Sequence, residues 1–283
     1  MAGPRDRDDR RQRHWPGQGG SERGRASVRP AGRPEASGSE GPLLIWGQHA
    51  VEAVLRNEAR TILRLVATDN AANRLAGLMT KRQITVTEAL PRDIDRIVGP
   101  EAVHQGVVAE VAPLADVDLD TVIAAAETGG PIVVLDQVTD PHNVGAMLRS
   151  AAVFGASGLV MTRRHSPPLG GVLAKAASGG LEVVPVVLVS NLARALDQLG
   201  EAHVQRLGLD GEASDLIDGV RLSRPLALVL GSEGQGLRRL TREKCDGLVR
   251  IGAEGSLGSL NVSNAAAVAL YEASRRTRHS TPE

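Results

Sequence analysis

The sequence has very few aromatic residues and a single cysteine. Its aromatic side chains are two tryptophans, one tyrosine and one phenylalanine, which make up 1% of 283 residues. RNA-binding modules that stack bases on clustered rings need more aromatic side chains, so this composition argues against them. Because Cys245 is the one cysteine, an intramolecular disulfide and a thiolate zinc cluster are excluded. We expect no metal site.

Long apolar runs and an excess of one charge are also missing. No apolar stretch approaches the roughly 20 residues of a membrane-spanning helix, so we expect no membrane association. The arginine-rich N-terminus lacks the apolar region of a secretory signal, and the cytoplasm is the expected compartment. Basic and acidic residues number 33 each, which gives a formal net charge of +0. Any RNA binding must therefore come from local basic patches.

Composition divides the chain into four segments. Residues 1–41 are rich in Arg, Gly, Pro, Ser and Asp, with almost nothing to bury, which predicts a disordered tail. This tail is either a phosphate-contacting arm for RNA or a solvated segment, and its composition favours neither. Residues 42–113 predict a small α/β domain, and residues 114–130 predict a linker with a short helix over 119–127. Residues 131–283 predict a larger α/β domain.

The larger domain alternates regularly between strands and helices. Its first strand, 132–135, is continuously apolar, as expected for a parallel sheet covered on both faces. We predict further strands over 158–161, 183–187, 204–209, 226–230 and 247–251, and helices over 144–154, 169–177 and 192–199 before an alanine-rich final helix. Ligands of such sheets bind beyond the carboxyl ends of the strands. The loops of interest are therefore 136–143, 231–236 and 252–261.

The first of these loops precedes a helix that carries an arginine. The pattern predicts that Asn143 opens this helix as its N-cap. Arg149 follows six residues later between apolar neighbours, which predicts a partly buried guanidinium that needs an anionic partner. A substrate phosphate or the carboxylate of Glu233 would serve.

The second loop, residues 231–236 (GSEGQG), is rich in glycine. It lacks the Gly-Lys-Ser/Thr ending of a P-loop and the glycine spacing of a dinucleotide fingerprint. A carboxylate in its middle would repel phosphate, so a ligand with a cationic centre, such as S-adenosylmethionine, fits better. The third loop offers main-chain groups and little side-chain bulk. That suits an adenine edge in an apolar slot or, equally, a tight turn.

In the smaller domain, His104-Gln105-Gly106 precedes the last predicted strand, 107–111. A catalytic His104 is one interpretation. A lone histidine beside glutamine and glycine more often forms a cap or a backbone hydrogen bond, and we favour that structural role.

Three motifs in the larger domain resemble those of the SpoU/TrmH branch of the knotted SPOUT RNA methyltransferases. They are Asn143-Val144-Gly145-Ala146-x-x-Arg149, Leu230-Gly231-Ser232-Glu233-Gly234-x-Gly236 and Ser259-Leu260-Asn261-Val262-Ser263, in that order. The resemblance spans about residues 131–276. Residues 43–113, with Gly47-x-His49-Ala50-Val51 and His104-Gln105-Gly106, resemble the small L30e-like RNA-binding domain that precedes the catalytic domain in some of these enzymes.

The resemblance implies a fold, an assembly and an activity. The larger domain would be a SPOUT domain with a deep trefoil knot, and its active site would form at the interface of a homodimer. The implied activity is methyl transfer from S-adenosylmethionine to the 2′-hydroxyl of a guanosine ribose in 23S ribosomal RNA, either free or in an assembling large ribosomal subunit. The alternatives are a transfer RNA ribose 2′-O-methyltransferase and a non-catalytic RNA-binding protein of ribosome assembly.

The resemblance also implies a role for the motif residues. Arg149 would handle the proton of the ribose hydroxyl, and Glu233 would orient Arg149 or Asn143. The implied catalytic residues are Arg149, Asn143, Glu233, Asn261 and Ser259. The implied cofactor-binding residues are Leu230, Gly231, Ser232, Ile251, Leu260 and Ser263.

Overall fold

The computed structural model describes residues 41–252 and 260–278. Ser259 and nearly all of the predicted N-terminal tail lie outside the described residues. Within these two ranges, no helix has the length and apolarity needed to cross a membrane. The same ranges contain no cluster of His, Cys, Asp and Glu side chains suited to a metal ion.

The chain forms two sheets with helices packed against them. The strands are β1 (Leu43–Trp46), β2 (Ile62–Ala67), β3 (Val86–Glu88), β4 (Val107–Val111), β5 (Ile132–Asp136), β6 (Gly158–Thr162), β7 (Val186–Val189), β8 (Gln205–Leu209), β9 (Asp215–Leu216), β10 (Leu226–Gly231) and β11 (Gly247–Arg250). The helices are α1 (Gln48–Arg56), α2 (Asp69–Arg82), α3 (Pro91–Val98), α4 (Leu119–Thr128), α5 (Pro141–Phe154), α6 (Gly171–Ala177), α7 (Leu192–Glu201), α8 (Arg239–Glu243) and α9 (Val262–Arg278), with a 3-10 helix over Gly180–Glu182.

The larger sheet is parallel and has the order β7-β6-β5-β10-β8-β11-β9. Every residue of β5 and β10 is buried. Alternate residues of β5 belong to two different apolar clusters, with Val133 and Leu135 in one and Ile132 and Val134 in the other. Since alternate side chains of a strand point to opposite faces, both faces of the sheet are covered. The predicted α/β class with a parallel sheet is confirmed.

The smaller sheet has the order β1-β4-β2-β3. Its β1–β4 and β4–β2 pairs are antiparallel, and β2–β3 is parallel. One apolar cluster includes Ile45 and Val51 from this part of the chain together with Leu148 and Leu173 from α5 and α6. The two sheets therefore share part of their core. The domain boundaries at 113 and 131 stay a prediction.

Two element boundaries differ from the sequence prediction by three residues each. Helix α5 begins at Pro141, and the Asp140 carboxylate caps it by accepting a 3.0 Å hydrogen bond from the His142 amide. The predicted N-cap role of Asn143 is wrong, because proline is favoured as the first helical residue directly after an aspartate cap. Strand β7 begins at Val186 rather than at 183, because the chain first forms the 3-10 helix and then passes through Pro185, which has no amide hydrogen.

The trefoil knot also stays a prediction. Residues 253–259, which precede the last helix, lie outside the described residues.

Candidate active site

The carboxyl ends of β5 and β10 lie side by side in the sheet, with Asp136 paired to Gly231. The chain leaves β5 towards α5 and leaves β10 into the loop 231–236. Helix α9 packs against α5 and brings its first turn to the same edge. The convergence of the three loops, predicted from the rule for parallel sheets, is confirmed for their described residues.

Hydrogen bonds between side chains join the three motifs at this edge. Asn143 is 9% exposed. Its Nδ2 donates to the Glu233 carboxylate at 3.4 Å, and its Oδ1 accepts from Asn261 Nδ2 at 3.1 Å. The Oδ1 of Asn261 accepts in turn from the amide and the hydroxyl of Ser263, at 2.9 and 2.6 Å.

The direction of this chain of hydrogen bonds is fixed at one end by a backbone amide. The amide of Ser263 can only donate, so the oxygen of Asn261 must face it and the Asn261 NH₂ group must face Asn143. The oxygen of Asn143 is thereby occupied, and its NH₂ group points to Glu233. An ionised carboxylate only accepts. Four side chains from the three motifs are therefore linked in an order that a single backbone donor determines.

The loop 231–236 is closed at its base and exposed at its tip. Ser232 and Gly236 exchange two backbone hydrogen bonds, at 3.2 and 2.9 Å. A Cβ atom at Gly231 would lie 2.1 Å from the carbonyl carbon of Gly236, so only glycine fits where the chain crosses itself. Glu233 stands at the exposed tip and is held from one side by Asn143.

Asp136, at the end of β5, is a buried residue that the sequence reasoning did not assign a role. Its carboxylate is 0% exposed and accepts from the backbone amide and the Nε of Arg238, at 3.0 and 2.6 Å. This pair connects β5 to the segment that directly follows the glycine-rich loop. The available signal was an aspartate at the end of an otherwise apolar strand.

Arg149 differs from the prediction. Its side chain is exposed, and it has no hydrogen bond or ion pair to any described residue. The expectation of a partly buried guanidinium was wrong, because Met147, Leu148 and Ala151 are buried on one side of α5. Arg149 lies with Val153 on the opposite side, four residues apart, which is the spacing of one helix face.

The predicted cofactor-binding residues lie around the same edge. Leu230 is buried within β10, so that only its backbone is available to a ligand. Ser232 and Ile251 are half-buried, and the Leu260 side chain is 46% exposed. The hydroxyl of Ser263 donates to Asn261. The cofactor-binding role of these residues stays a prediction.

Two other reactive side chains have structural partners. The His104 Nδ1 accepts from the Gly106 amide at 3.0 Å, and its Nε2 lies 3.0 Å from an Asp95 carboxylate oxygen. The predicted structural role of His104 is confirmed. Burial raises the pKa of the Cys245 thiol to about 12, so this thiol is protonated at neutral pH and is a weak nucleophile.

Comparison with known families supports the organisation of the chain. The model of the SpoU rRNA Methylase family matches residues 130–271. The model of an RNA 2′-O ribose methyltransferase substrate-binding domain matches residues 44–117.

Individual relatives match across both regions. The 23S rRNA (guanosine-2′-O-)-methyltransferase RlmB of Pseudomonas putida is 41% identical over 239 residues, which cover 82% of this chain and 96% of that protein. The enzyme of the same name from Vibrio cholerae is 41% identical over 240 residues, with 82% and 96% coverage. The SpoU methyltransferase AviRb from Streptomyces viridochromogenes, solved in complex with the cofactor AdoMet, superposes with a TM-score of 0.71. It is 27% identical and covers 86% of this chain and 92% of its own.

Proposed function

We propose, because this chain belongs to the SpoU rRNA methylase family, that it transfers a methyl group from S-adenosylmethionine to the 2′-hydroxyl of a guanosine ribose in 23S ribosomal RNA. The observation that carries this proposal is the hydrogen-bonded chain Glu233–Asn143–Asn261–Ser263, which brings all three motifs to one edge of the sheet. Relatives that match nearly their full length act on that substrate.

The donor set at this edge fits S-adenosylmethionine. The exposed side chains of the loop 231–236 are Glu233 and Gln235, which suit a cationic ligand and not a phosphate. Leu260 supplies exposed apolar surface, and the ends of β10 and β11 supply main-chain donors and acceptors. When bound, S-adenosylmethionine supplies an electrophilic methyl group on a sulfonium centre. The chain must hold the ribose hydroxyl in line with that group and help remove its proton.

Arg149 is assigned to the RNA side of this reaction. The guanidinium of an arginine stays charged in proteins, so Arg149 stabilises negative charge on the ribose oxygen and binds a nearby phosphate of the RNA, which takes the proton. Asn143 and Asn261 position the groups around it. Glu233 fixes Asn143, to which it is hydrogen-bonded. Ser259 belongs to the same motif as Asn261, and we propose that it contacts RNA or the cofactor.

We also assign the exposed side of α5 and α9 to a homodimer interface. Val153 on α5 is 69% exposed, and Val268 and Tyr271 on α9 are 40% and 54% exposed. Tyr271 meets Phe154 edge-to-face, with ring centroids 6.0 Å apart, so the two helix surfaces are continuous. Adjacent apolar side chains on an exposed surface are typical of a protein–protein interface. Arg149 lies on the same face, which would place it beside the second subunit.

Val153→Asp should therefore shift the protein from dimer to monomer in analytical ultracentrifugation, because the new charge would be buried in the interface. Val103 provides a matched control, since it is 68% exposed but lies in the smaller domain. Val103→Asp should leave the oligomeric state unchanged. An unaltered dimer in the Val153 variant would remove α5 from the interface.

The methyl transfer itself is tested with methyl-labelled S-adenosylmethionine and separate 23S, 16S and transfer RNAs, followed by nucleoside analysis. We expect 2′-O-methylguanosine from 23S RNA only. Comparison of free 23S RNA with precursors of the large subunit then identifies the preferred substrate. We propose the cytoplasm as the compartment of the reaction. Label only in transfer RNA would replace the ribosomal substrate. Cofactor binding without label in any RNA would favour a non-catalytic role.

A further inference from the structure

A buried ion pair connects the segment just before β2, in the smaller domain, to the 3-10 helix over Gly180–Glu182. The side chains of Arg60 and Glu182 are 1% and 3% exposed, and Arg60 Nη2 lies 2.7 Å from a Glu182 oxygen. Arg60 Nε donates to the other oxygen at 3.0 Å, and Asn57 Nδ2 donates to that same oxygen at 2.8 Å. A two-point guanidinium–carboxylate contact fixes orientation as well as distance.

Arg60 also fixes the start of the segment that connects the two sheets. Its Nη1 donates to the Ala112 carbonyl at 2.9 Å, directly after β4. The Arg60 carbonyl accepts in turn from Arg82 at 2.8 Å. The backbone of Arg60 is thus bound by the last residue of α2, while its guanidinium binds Glu182 and the Ala112 carbonyl.

The chain around Glu182 lies between the smaller domain and α5. A Cβ atom at Gly179 would lie 2.7 Å from the Ala53 Cβ on α1, and its φ of +99° is one that glycine adopts readily. A Cβ atom at Gly180 would lie 2.7 Å from the Leu148 carbonyl oxygen and 3.0 Å from the Arg149 amide nitrogen. Two adjacent glycines therefore contact α1 on one side and the backbone of Arg149 on the other.

A second hydrogen-bonded contact joins α6 to the smaller domain. Lys175 on α6 donates to the Gln105 side-chain oxygen at 2.9 Å, and that oxygen also accepts from the Gln48 amide at 3.0 Å. Desolvation by burial lowers the pKa of Lys175. Helix α6 also approaches α5 closely, since a Cβ atom at Gly145 would lie 2.6 Å from the Leu173 carbonyl oxygen.

We propose that Arg60 and Glu182 are positioning residues that hold the smaller, RNA-binding domain in a fixed orientation relative to Arg149. The order of contact is Arg60 to Glu182, then Gly180, then the backbone of Arg149. RNA held by the smaller domain is thereby presented to Arg149 in one register. This inference rests on the proposed methyl transfer, and its test includes a measurement that does not depend on activity.

Two variants separate positioning from simple stabilisation. Glu182→Gln leaves a buried guanidinium without its charge partner and is expected to lower stability. The double variant Arg60→Met/Glu182→Leu replaces the pair by apolar side chains of similar volume, a change that other proteins often tolerate without loss of stability. Glu58→Gln is the matched control, because its ion pair with Lys81 is 76% and 72% exposed and contributes little.

The double variant should keep the melting temperature and the affinity for S-adenosylmethionine, while kcat on 23S RNA falls about tenfold because the hydroxyl is misplaced. RNA affinity should change by only about twofold, since the smaller domain itself is intact. A kcat equal to that of the wild type in a stable double variant would reduce the pair to a structural contact and overturn the proposal.

Small-angle X-ray scattering tests whether Arg60 and Glu182 fix the smaller domain, even if no RNA is methylated. The double variant should show a larger radius of gyration than the wild type and the Glu58→Gln control, because the smaller domain is no longer fixed. An unchanged scattering profile would overturn the proposal that Arg60 and Glu182 fix the smaller domain, whatever the outcome of the methylation assay.

Discussion

The first and third turns of α5 present two residues of opposite character. Asn143 is buried, and both ends of its amide are hydrogen-bonded to the other motifs. Arg149, six residues later, is exposed and has no partner among the described residues. Asn143 is thus held by hydrogen bonds within the chain, whereas Arg149 faces outward. Contacts among the described residues therefore hold Asn143 in place and leave the Arg149 guanidinium exposed, where we propose that it meets RNA and a second subunit.

The largest expected effect comes from the outward-facing residue. Arg149→Ala should lower kcat by about 10²-fold or more, as is typical for loss of a group that assists proton transfer. Its melting temperature and affinity for S-adenosylmethionine should not change, because the side chain has no partner among the described residues. Arg194→Ala, at an exposed arginine on α7, serves as the control. Wild-type turnover by the Arg149 variant would mean that Arg149 has no catalytic role. The proposed difference in function between Arg149 and Asn143 would then also be wrong.

Substitution of the inward-facing Asn143 should lower stability as well as activity. Asn143→Ala removes the acceptor of Asn261 and the donor to Glu233. We expect a loss of about 1–2 kcal/mol in the free energy of unfolding, because polar groups lose their partners in a partly buried site. Activity should fall together with stability.

Urea denaturation measures this effect. Asn264→Ala, at an exposed asparagine on α9, should stay within about 0.5 kcal/mol of the wild type. Equal stability of the Asn143 variant and this control would mean that the hydrogen-bonded chain does not hold the scaffold.

The scaffold could be predicted from the sequence because its signals are local. The continuous apolar runs of β5 and β10 indicated central parallel strands, and the ends of these strands indicated the candidate site. The resemblance supplied Asn143, Glu233 and Asn261 but not their order of contact. That order depends on which amide oxygen faces a backbone donor, which only the folded geometry shows.

Other features depend on long-range partners and were missed. Arg60 and Glu182 are 122 residues apart, and each looks like an ordinary surface charge in its local sequence. Asp136 and Arg238 are 102 residues apart. The exposure of Arg149 depends on the helix face on which it lies, and its apolar neighbours in the sequence lie on another face. Position 149 falls on the side opposite to Met147 and Leu148.

The smallest expected effect concerns Ser263, at the end of the hydrogen-bonded chain. Ser263→Ala removes the hydroxyl donor to Asn261 but keeps the backbone amide that donates to the same oxygen. Since the remaining donor still orients Asn261, the free energy of unfolding should fall by only about 0.5–1 kcal/mol. Turnover should fall a few-fold, and the affinity for S-adenosylmethionine should not change.

Ser150→Ala is the matched control, because the Ser150 hydroxyl makes one 3.0 Å hydrogen bond within α5, to the Ala146 carbonyl. Both variants should lose similar stability, and only the Ser263 variant should lose turnover. Calorimetric titration with S-adenosylmethionine then separates the two roles considered for Ser263. A weaker cofactor affinity in this variant would mean that the Ser263 hydroxyl contacts the cofactor. The hydrogen-bonded chain would then bind the ligand as well as hold the scaffold. An unchanged affinity would keep Ser263 with Asn261 and Asn143, as part of the scaffold against which Arg149 acts.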